Sequence, residues 1–208
     1  MSSERPTICT IGHSTHALDE FLALLDRHGI TAVADVRWQP YGWQEHFNRE
    51  NLAAALKSAE IEYVFLGQQL GARREERECY ENGVAVYARI AKLPAFQEGL
   101  ARLRRGAEKY RLAILCAEKE PLDCHRTILV CRHLRQSGLP IRHILADGPL
   151  EDHDQTEKRL VRQMGVTRTL FEPDLTDDGL LDRAYDERGA QTAYRAEQEG
   201  GESEGELP

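Results

Sequence analysis

The chain has 208 residues, 41% hydrophobic and 30% charged, which fits one globular domain with a tail and is too short for two ordinary domains. No run of 18 apolar residues occurs and the opening MSSERPTICTIGHS lacks the basic and apolar parts of a secretion signal, so a cytoplasmic protein with no membrane span is expected. The net charge of −8 is uneven: from Glu151 onward 16 acidic residues face 7 basic ones, against 19 and 20 before it, so the body is near neutral and no basic block demands a polynucleotide.

In chain order, TICTIG (Thr7 to Gly12) reads as a β-branched strand ending in Gly, followed by HST and by LDEFLALLDRHG with apolar residues at helical spacing. ITAVADVR (Ile30 to Arg37) is a second strand, NRENLAAALKSAE (Asn48 to Glu60) a helix with Asn48 as its cap, and IEYVFLG (Ile61 to Gly67) a third strand. GVAVYARIAKL (Gly83 to Leu93) and PAFQEGLARLRRGAEKY (Pro94 to Tyr110) read as two helices, with Pro94 suited to a helix start. RLAILC (Arg111 to Cys116) is a fourth strand, CHRTILVCRHLRQSG (Cys124 to Gly138) a helix, PIRHIL (Pro140 to Leu145) a fifth strand, and ADGPLEDHDQTEKRLVRQMG a turn and a helix. Strands alternating with helices predict a compact α/β domain with a mainly parallel sheet of about five strands flanked by helices. The boundaries are residues 1–165 for this domain, 166–187 for a C-terminal extension and 188–208 for an acidic tail, rich in Glu and Gly, expected to be disordered.

Ligands of such sheets sit outside the carboxyl ends of the strands, which gathers His13 and Ser14, Asp35 and Arg37, and the stretch CAEKEPLDCHR (Cys116 to Arg126) into one expected crevice. In that stretch a strand delivers Cys116, and a helix starts near Asp123 or Cys124, so Cys124, His125 and Arg126 fall near free amides and the positive helix end. Such a place lowers a thiol pKa and attracts anions, and Arg126 offers a two-pronged grip on phosphate or carboxylate. The plainer alternative is that the cysteines pack the turn while Arg126 pairs with Asp123 or Glu120. Five cysteines without a signal peptide argue against a disulfide framework. Zinc on Cys116, Cys124 and His125 is a further alternative, although a cysteine followed after seven residues by Cys-His matches no standard zinc knuckle. The imidazole of His13, directly past a buried strand, suits proton transfer. Ser14 and Thr15 read as helix caps or as a phosphate cradle with Gly12, Asp35 and Arg37 as an ion pair or a ligand grip, and WQPYGW brings Trp38 and Tyr41 to a loop able to stack a ring or merely to cover the core.

With TIGHS, DVR, the third-strand LG, CAEKEPLDCHR and HILADG in this order, the chain resembles the DUF488 family over about Thr7 to Leu160. The resemblance implies a compact α/β domain and one shared site, without implying what it does. Its characteristic residues fall on Gly12, His13, Ser14, Asp35, Arg37, Pro40, Gly67, Cys116, Glu118, Pro121, Cys124, His125, Arg126, His143 and Asp147. Where members often follow DVR with a proline, a serine and an arginine, this chain has WQPYGWQEHF. The expected function is a cysteine-dependent enzyme, a hydrolase or transferase, acting on a small phosphorylated or nucleotide-like ligand held at the helix N-terminus, with no cofactor required. Cys116, Glu118, Cys124, His125 and His13 are its catalytic candidates, and Gly12, Ser14, Asp35, Arg37, Arg126, Trp38 and Tyr41 its ligand-binding ones. A non-catalytic module for nucleotide or nucleic acid, and a metal-binding protein, are the alternatives.

Overall fold

The computed structural model describes residues 6–168, 172 and 174–196. The strands are β1 (Ile8–Gly12), β2 (Ala32–Asp35), β3 (Glu62–Phe65), a small hairpin β4 (Tyr80–Glu81) and β5 (Val84–Ala85), β6 (Leu112–Cys116), β7 (Ile141–Ile144) and β8 (Leu150–Asp152). Between and after them lie α1 (Leu18–Arg27), α2 (Arg49–Ser58), α3 (Gly67–Leu70), α4 (Tyr87–Ile90), α5 (Pro94–Ala107), α6 (Arg132–Leu134), α7 (His153–Met164) and α8 (Asp177–Thr192). A six-stranded sheet runs in the order β3-β2-β6-β1-β7-β8, parallel except for β8, which pairs antiparallel with β7.

The expected five parallel strands are all present. The edge strand β8 and the β4–β5 hairpin are additions. Residues 83–93 were expected to be one helix, but Val84 and Ala85 instead pair with Tyr80 and Glu81, and only Tyr87–Ile90 is helical. Asn82 and Gly83 both have positive φ, the signature of a two-residue hairpin turn. Pro94 does open α5 as its first residue.

Alternation along the strands divides the core between the two faces of the sheet. On β6, Leu112, Ile114 and Cys116 join the cluster that includes Phe96 and Leu103 of α5, Leu134 of α6, Leu160 of α7 and Tyr185 of α8. Ala113 and Leu115 join the other, with Phe21 and Leu25 of α1 and Leu52 and Leu56 of α2. Helices therefore leave the adjacent strands β1 and β6 toward opposite faces. At such a switch point the connecting loops part and a crevice opens above the strand ends. The end of β6, flanked by β1 and β2, lies at this switch point.

The chain past Met164 is more tightly integrated than a loose extension and tail. Helix α8 continues through the expected boundary at 188 to Thr192, the Ala85 amide donates to the Tyr194 carbonyl at 2.9 Å, and Arg195 bridges to Val84. The expectation of disorder for 188–208 is corrected for residues 188–196, while residues 197–208 lie outside those described. Among the described residues, no helix is long and apolar enough to cross a membrane.

Candidate functional site

Register brings the expected residues to one end of the sheet. Gly12 pairs with Cys116 across β1 and β6, and the next amides continue the ladder: His13 N–H to the Cys116 carbonyl at 3.0 Å and Ser14 N–H to that of Ala117 at 2.8 Å. Across β2, the Val36 amide donates to Leu115 at 3.1 Å. After Cys116 the loop turns back over the end of β1. A short 3-10 turn, Pro121–Asp123, capped by the Glu120 carboxylate on Leu122 N–H, then leads to Cys124.

Cys124 is extended (φ −126°, ψ 138°), and its carbonyl accepts from the amides of Thr127 and Ile128, so it caps the next helix in place of the expected Asp123. That helix opens with His125 and runs as a π-helical stretch, Arg126–Cys131, before α6. The cap position lets Cys124 Sγ accept the Arg126 N–H at 3.4 Å, as an oxygen does in an ordinary cap.

Four side chains converge there. Glu118 Oε2 is 3.0 Å from Cys116 Sγ and 2.9 Å from Cys124 Sγ, and His125 Nδ1 is 3.5 Å from Cys116 Sγ. One candidate ligand atom from each of the four lies within 4.8 Å of the others. His125 Nε2 is 3.2 Å from the Val36 carbonyl; because a carbonyl only accepts, Nε2 carries the proton there and Nδ1 turns toward the sulfurs.

The charges are unbalanced. Burial, then the hydrogen bond to and charge of Cys124, push the Cys116 thiol well up. Burial also opposes a Cys124 thiolate, but the Cys116 hydrogen bond, the Arg126 guanidinium and His125 outweigh it and hold this thiol well below its ordinary value. Burial and the Cys124 charge raise Glu118. For His125, burial opposes the charged ring while the hydrogen bond to and charge of Cys124 raise its pKa. Three acidic atoms at contact distance require protons or a cation between them.

Arg126 is not open to a ligand as expected. It is fully buried, and NH1 donates to the Glu118 carbonyl at 2.6 Å and NH2 to that of Lys119 at 3.2 Å, pinning the loop from beneath. It pairs with neither Asp123 nor Glu120; Asp123 pairs with Arg188 and Glu120 with Arg159.

His13 is likewise committed. Arg37 NH1 lies 3.2 Å from its Nε2 and can only donate, so the Nδ1 proton goes to the Ser14 carbonyl at 3.1 Å. Burial and then Arg37 bring its pKa down to about 4, and the neutral ring stacks on Phe47 at 4.3 Å. Its expected role as proton carrier finds no free nitrogen, and it buttresses Arg37 instead. Asp35 grips Arg37 with both oxygens, at 2.9 Å (Nε) and 2.6 Å (NH2), and accepts from Tyr63 OH at 2.9 Å. Neither Ser14 nor Thr15 caps α1; Ala17 occupies the cap position, and its amide donates to Glu20 at 3.2 Å.

The family model described as "Domain of unknown function DUF488" matches residues 17–132, more than half of the chain. The chain belongs to the DUF488 family. No curated protein and no solved structure gives a significant match.

The DUF488 match takes in Asp35, Arg37 and the whole Cys116–Arg126 stretch, while Gly12, His13, Ser14, His143 and Asp147 lie outside it. Trp38 is half-buried and lines a cleft of about 440 Å³ with Gln68, Arg74, Glu75 and Glu76, a lining that includes none of the four cluster residues. Tyr41 is exposed and donates to Glu50 at 2.8 Å. Sequence reading missed the Val36 carbonyl, Tyr63 and Phe47. A backbone oxygen carries no sequence signal, and Tyr63 and Phe47 read as ordinary strand and core residues.

Proposed function

We propose that this DUF488 protein is an enzyme built around one divalent transition-metal ion of the zinc class, held by Cys116, Glu118, Cys124 and His125. The observation that carries this reading is the single Glu118 oxygen at 3.0 and 2.9 Å from two sulfurs, with an imidazole nitrogen 3.5 Å from one of them. Bonds of about 2.3 Å to sulfur and about 2.0 Å to nitrogen or oxygen at tetrahedral angles put ligand atoms roughly 3.5 Å apart, so the Cys116–His125 distance already fits and the Glu118 oxygen needs to draw back from each sulfur by about half an ångström. Two thiolates and an imidazole favour zinc over magnesium or calcium. The His125–Val36 hydrogen bond, which fixes the ring, and the Arg126 amide on Cys124 are the supporting contacts such ligands commonly have. A divalent cation would also offset two of the three negative charges that these groups carry when ionised.

The phosphate-bearing ligand loses its main support with Arg126 buried, and a small polar molecule reaching the exposed side of Glu118 is the partner this reading implies. The five cysteines, all buried and free, suit a reducing compartment such as the cytoplasm.

Metal analysis of the purified protein should find about one zinc per chain, lost in Cys116→Ser and Cys124→Ser. Failure of the reduced, metal-free protein to take up Zn(II) would overturn the reading. A bare Cys124 nucleophile is the second reading, favoured by the Arg126 N–H on its sulfur. It requires fast alkylation at neutral pH without a chelator, whereas a bound ion protects both thiols until a chelator is added.

A further inference from the structure

We infer that the ion's site is of the catalytic kind, with Glu118 as an exchangeable ligand whose departure opens a position for water or a substrate carbonyl oxygen. This rests on the metal reading above and adds to it which ligand leaves.

The four side chains are not held equally. Cys116 ends a central strand and is 2% exposed; Cys124 caps a helix and is 1% exposed; His125 is tied through Nε2 to the Val36 carbonyl. Their backbones belong to the sheet or to the helix start. Glu118 hangs from the connecting loop, is exposed, and among the described residues its carboxylate bonds only to the two sulfurs. Among the described residues, nothing besides the cluster holds that carboxylate in place by a hydrogen bond.

Its backbone, by contrast, is fixed. Arg126 holds the Glu118 carbonyl at 2.6 Å from below, and Gly12 leaves room for that carbonyl to lie against β1. The side chain can therefore turn away while its attachment stays still, which keeps the carboxylate beside the opened position. Two cysteines and a histidine with a fourth place open to water is an established catalytic arrangement, whereas structural zinc sites are closed by four firm ligands. With Glu118 bound, two thiolates and a carboxylate give a divalent ion a net charge of −1; with water in its place the net charge is zero, and the ion retains more power to polarise a carbonyl or acidify water. The reaction class this fits is hydrolysis of an acyl bond in a small polar substrate with a polarised carbonyl: the hydroxide of water bonds to the carbonyl carbon, the bond from that carbon to the leaving group breaks, and the remaining proton of the water goes to the leaving group.

The test uses the reduced full-length chain loaded with Co(II), whose visible spectrum reports coordination, with imidazole as an added monodentate probe. Imidazole should shift the wild-type spectrum to a saturating new form. Glu118→Ala should still bind one Co(II), more weakly than the wild type, and should acquire a spectral titration near about pH 7 as bound water ionises. Cys124→Ser should lose the ion altogether. A wild-type spectrum indifferent to imidazole, or a Glu118→Ala protein as empty as Cys124→Ser, would make Glu118 a permanent ligand and overturn the inference. Failure of the wild type to bind either Co(II) or Zn(II) would instead bring down the metal reading on which it rests.

Discussion

Gly12 and Glu118 interlock: a Cβ at position 12 would sit on the Glu118 carbonyl oxygen, with Arg126 NH1 only 3.0 Å away. Neither neighbour can withdraw cheaply, because the carbonyl accepts a hydrogen bond from the guanidinium of the fully buried Arg126. Gly12→Ala should therefore cost about 1–3 kcal/mol, as overpacking does elsewhere, and should lower zinc content by pushing Glu118 and the following turn off the sulfurs. Urea unfolding together with metal analysis checks both parts. An alanine variant of wild-type stability and full metal content would show that the loop has slack.

Arg126 supports the loop and does not receive a ligand, so its removal should act on stability first. Arg126→Met keeps the length and loses two charged hydrogen bonds to carbonyls, each worth about 1.5–3 kcal/mol, so a loss of about 3–6 kcal/mol is expected from denaturant unfolding. Millimolar phosphate should leave the alkylation rate of the chelator-treated wild type unchanged, since the guanidinium is sealed from solvent. Phosphate protection that disappears in Arg126→Met would restore the anion pocket.

The strands and the meeting of His13, Asp35, Arg37 and Cys116 were legible because each sits at the end of an apolar run, and parallel strands put all such ends on one side. Strand order was not legible. Placing β6 between β1 and β2, and so Cys116 between His13 and Arg37, depends on pairings that leave no local trace. The roles were read less well than the places. Arg126 beside a helix start suggested a ligand grip, but the loop needed its donors for carbonyls that no side-chain pattern reveals. His143 and His153 are buried and hydrogen-bonded to each other at 2.9 Å, a pairing between a strand and a helix that no local sequence pattern reveals.

His143 and His13 give the fold an acid limit. His143 Nδ1 lies 2.8 Å from Thr10 Oγ1, and His153 Nε2 faces Tyr185 OH at 3.2 Å and Glu157 at 3.3 Å, with Arg135 beyond at 3.4 Å from Glu157. Burial, then the charges of His153, Arg126 and Arg159, hold the His143 pKa well below the ordinary value, and His13 is down at about 4. A histidine with a lowered folded pKa binds fewer protons when native. Above about pH 6.5 neither histidine contributes a slope; below it the unfolded chain takes up protons that the native state refuses, and stability falls toward the folded pKa values by up to about 1.4 kcal/mol per pH unit for each histidine. Urea midpoints followed from neutral pH to about pH 4 should show this decline, and His143→Gln should remove about one proton from the slope. A variant with the wild-type slope would mean that His143 titrates normally.

Helix α8 reaches the site through Arg188, which donates through Nε to the Leu122 carbonyl at 3.0 Å and pairs through NH2 with Asp123. Both partners lie in the 3-10 turn that delivers Cys124, so the C-terminal extension clamps one wall of the cluster. Tyr185 donates to Glu157 at 2.8 Å, and Arg132 pairs with Asp186 at 2.6 Å and with Asp182 at 3.2 Å, which seats the same helix on α6 and α7. Cutting the chain after Ala196 removes twelve residues of which only Leu207 and Pro208 are not polar, charged or glycine, and should leave the melting temperature unchanged. Cutting it after Glu187 also removes Arg188, Gly189 packed against Tyr87 and Ile128, and the Val84–Arg195 bridge, and should lower the melting temperature by several degrees. The clamp itself is tested by Arg188→Ala in the full chain. If the turn is held mainly from α8, zinc affinity should drop by about tenfold, the loss typical of removing a contact one step beyond a ligand, with only a small change in stability. Unchanged zinc affinity in a folded Arg188→Ala protein would assign the positioning of Cys124 to Pro121, Glu120 and the helix start alone.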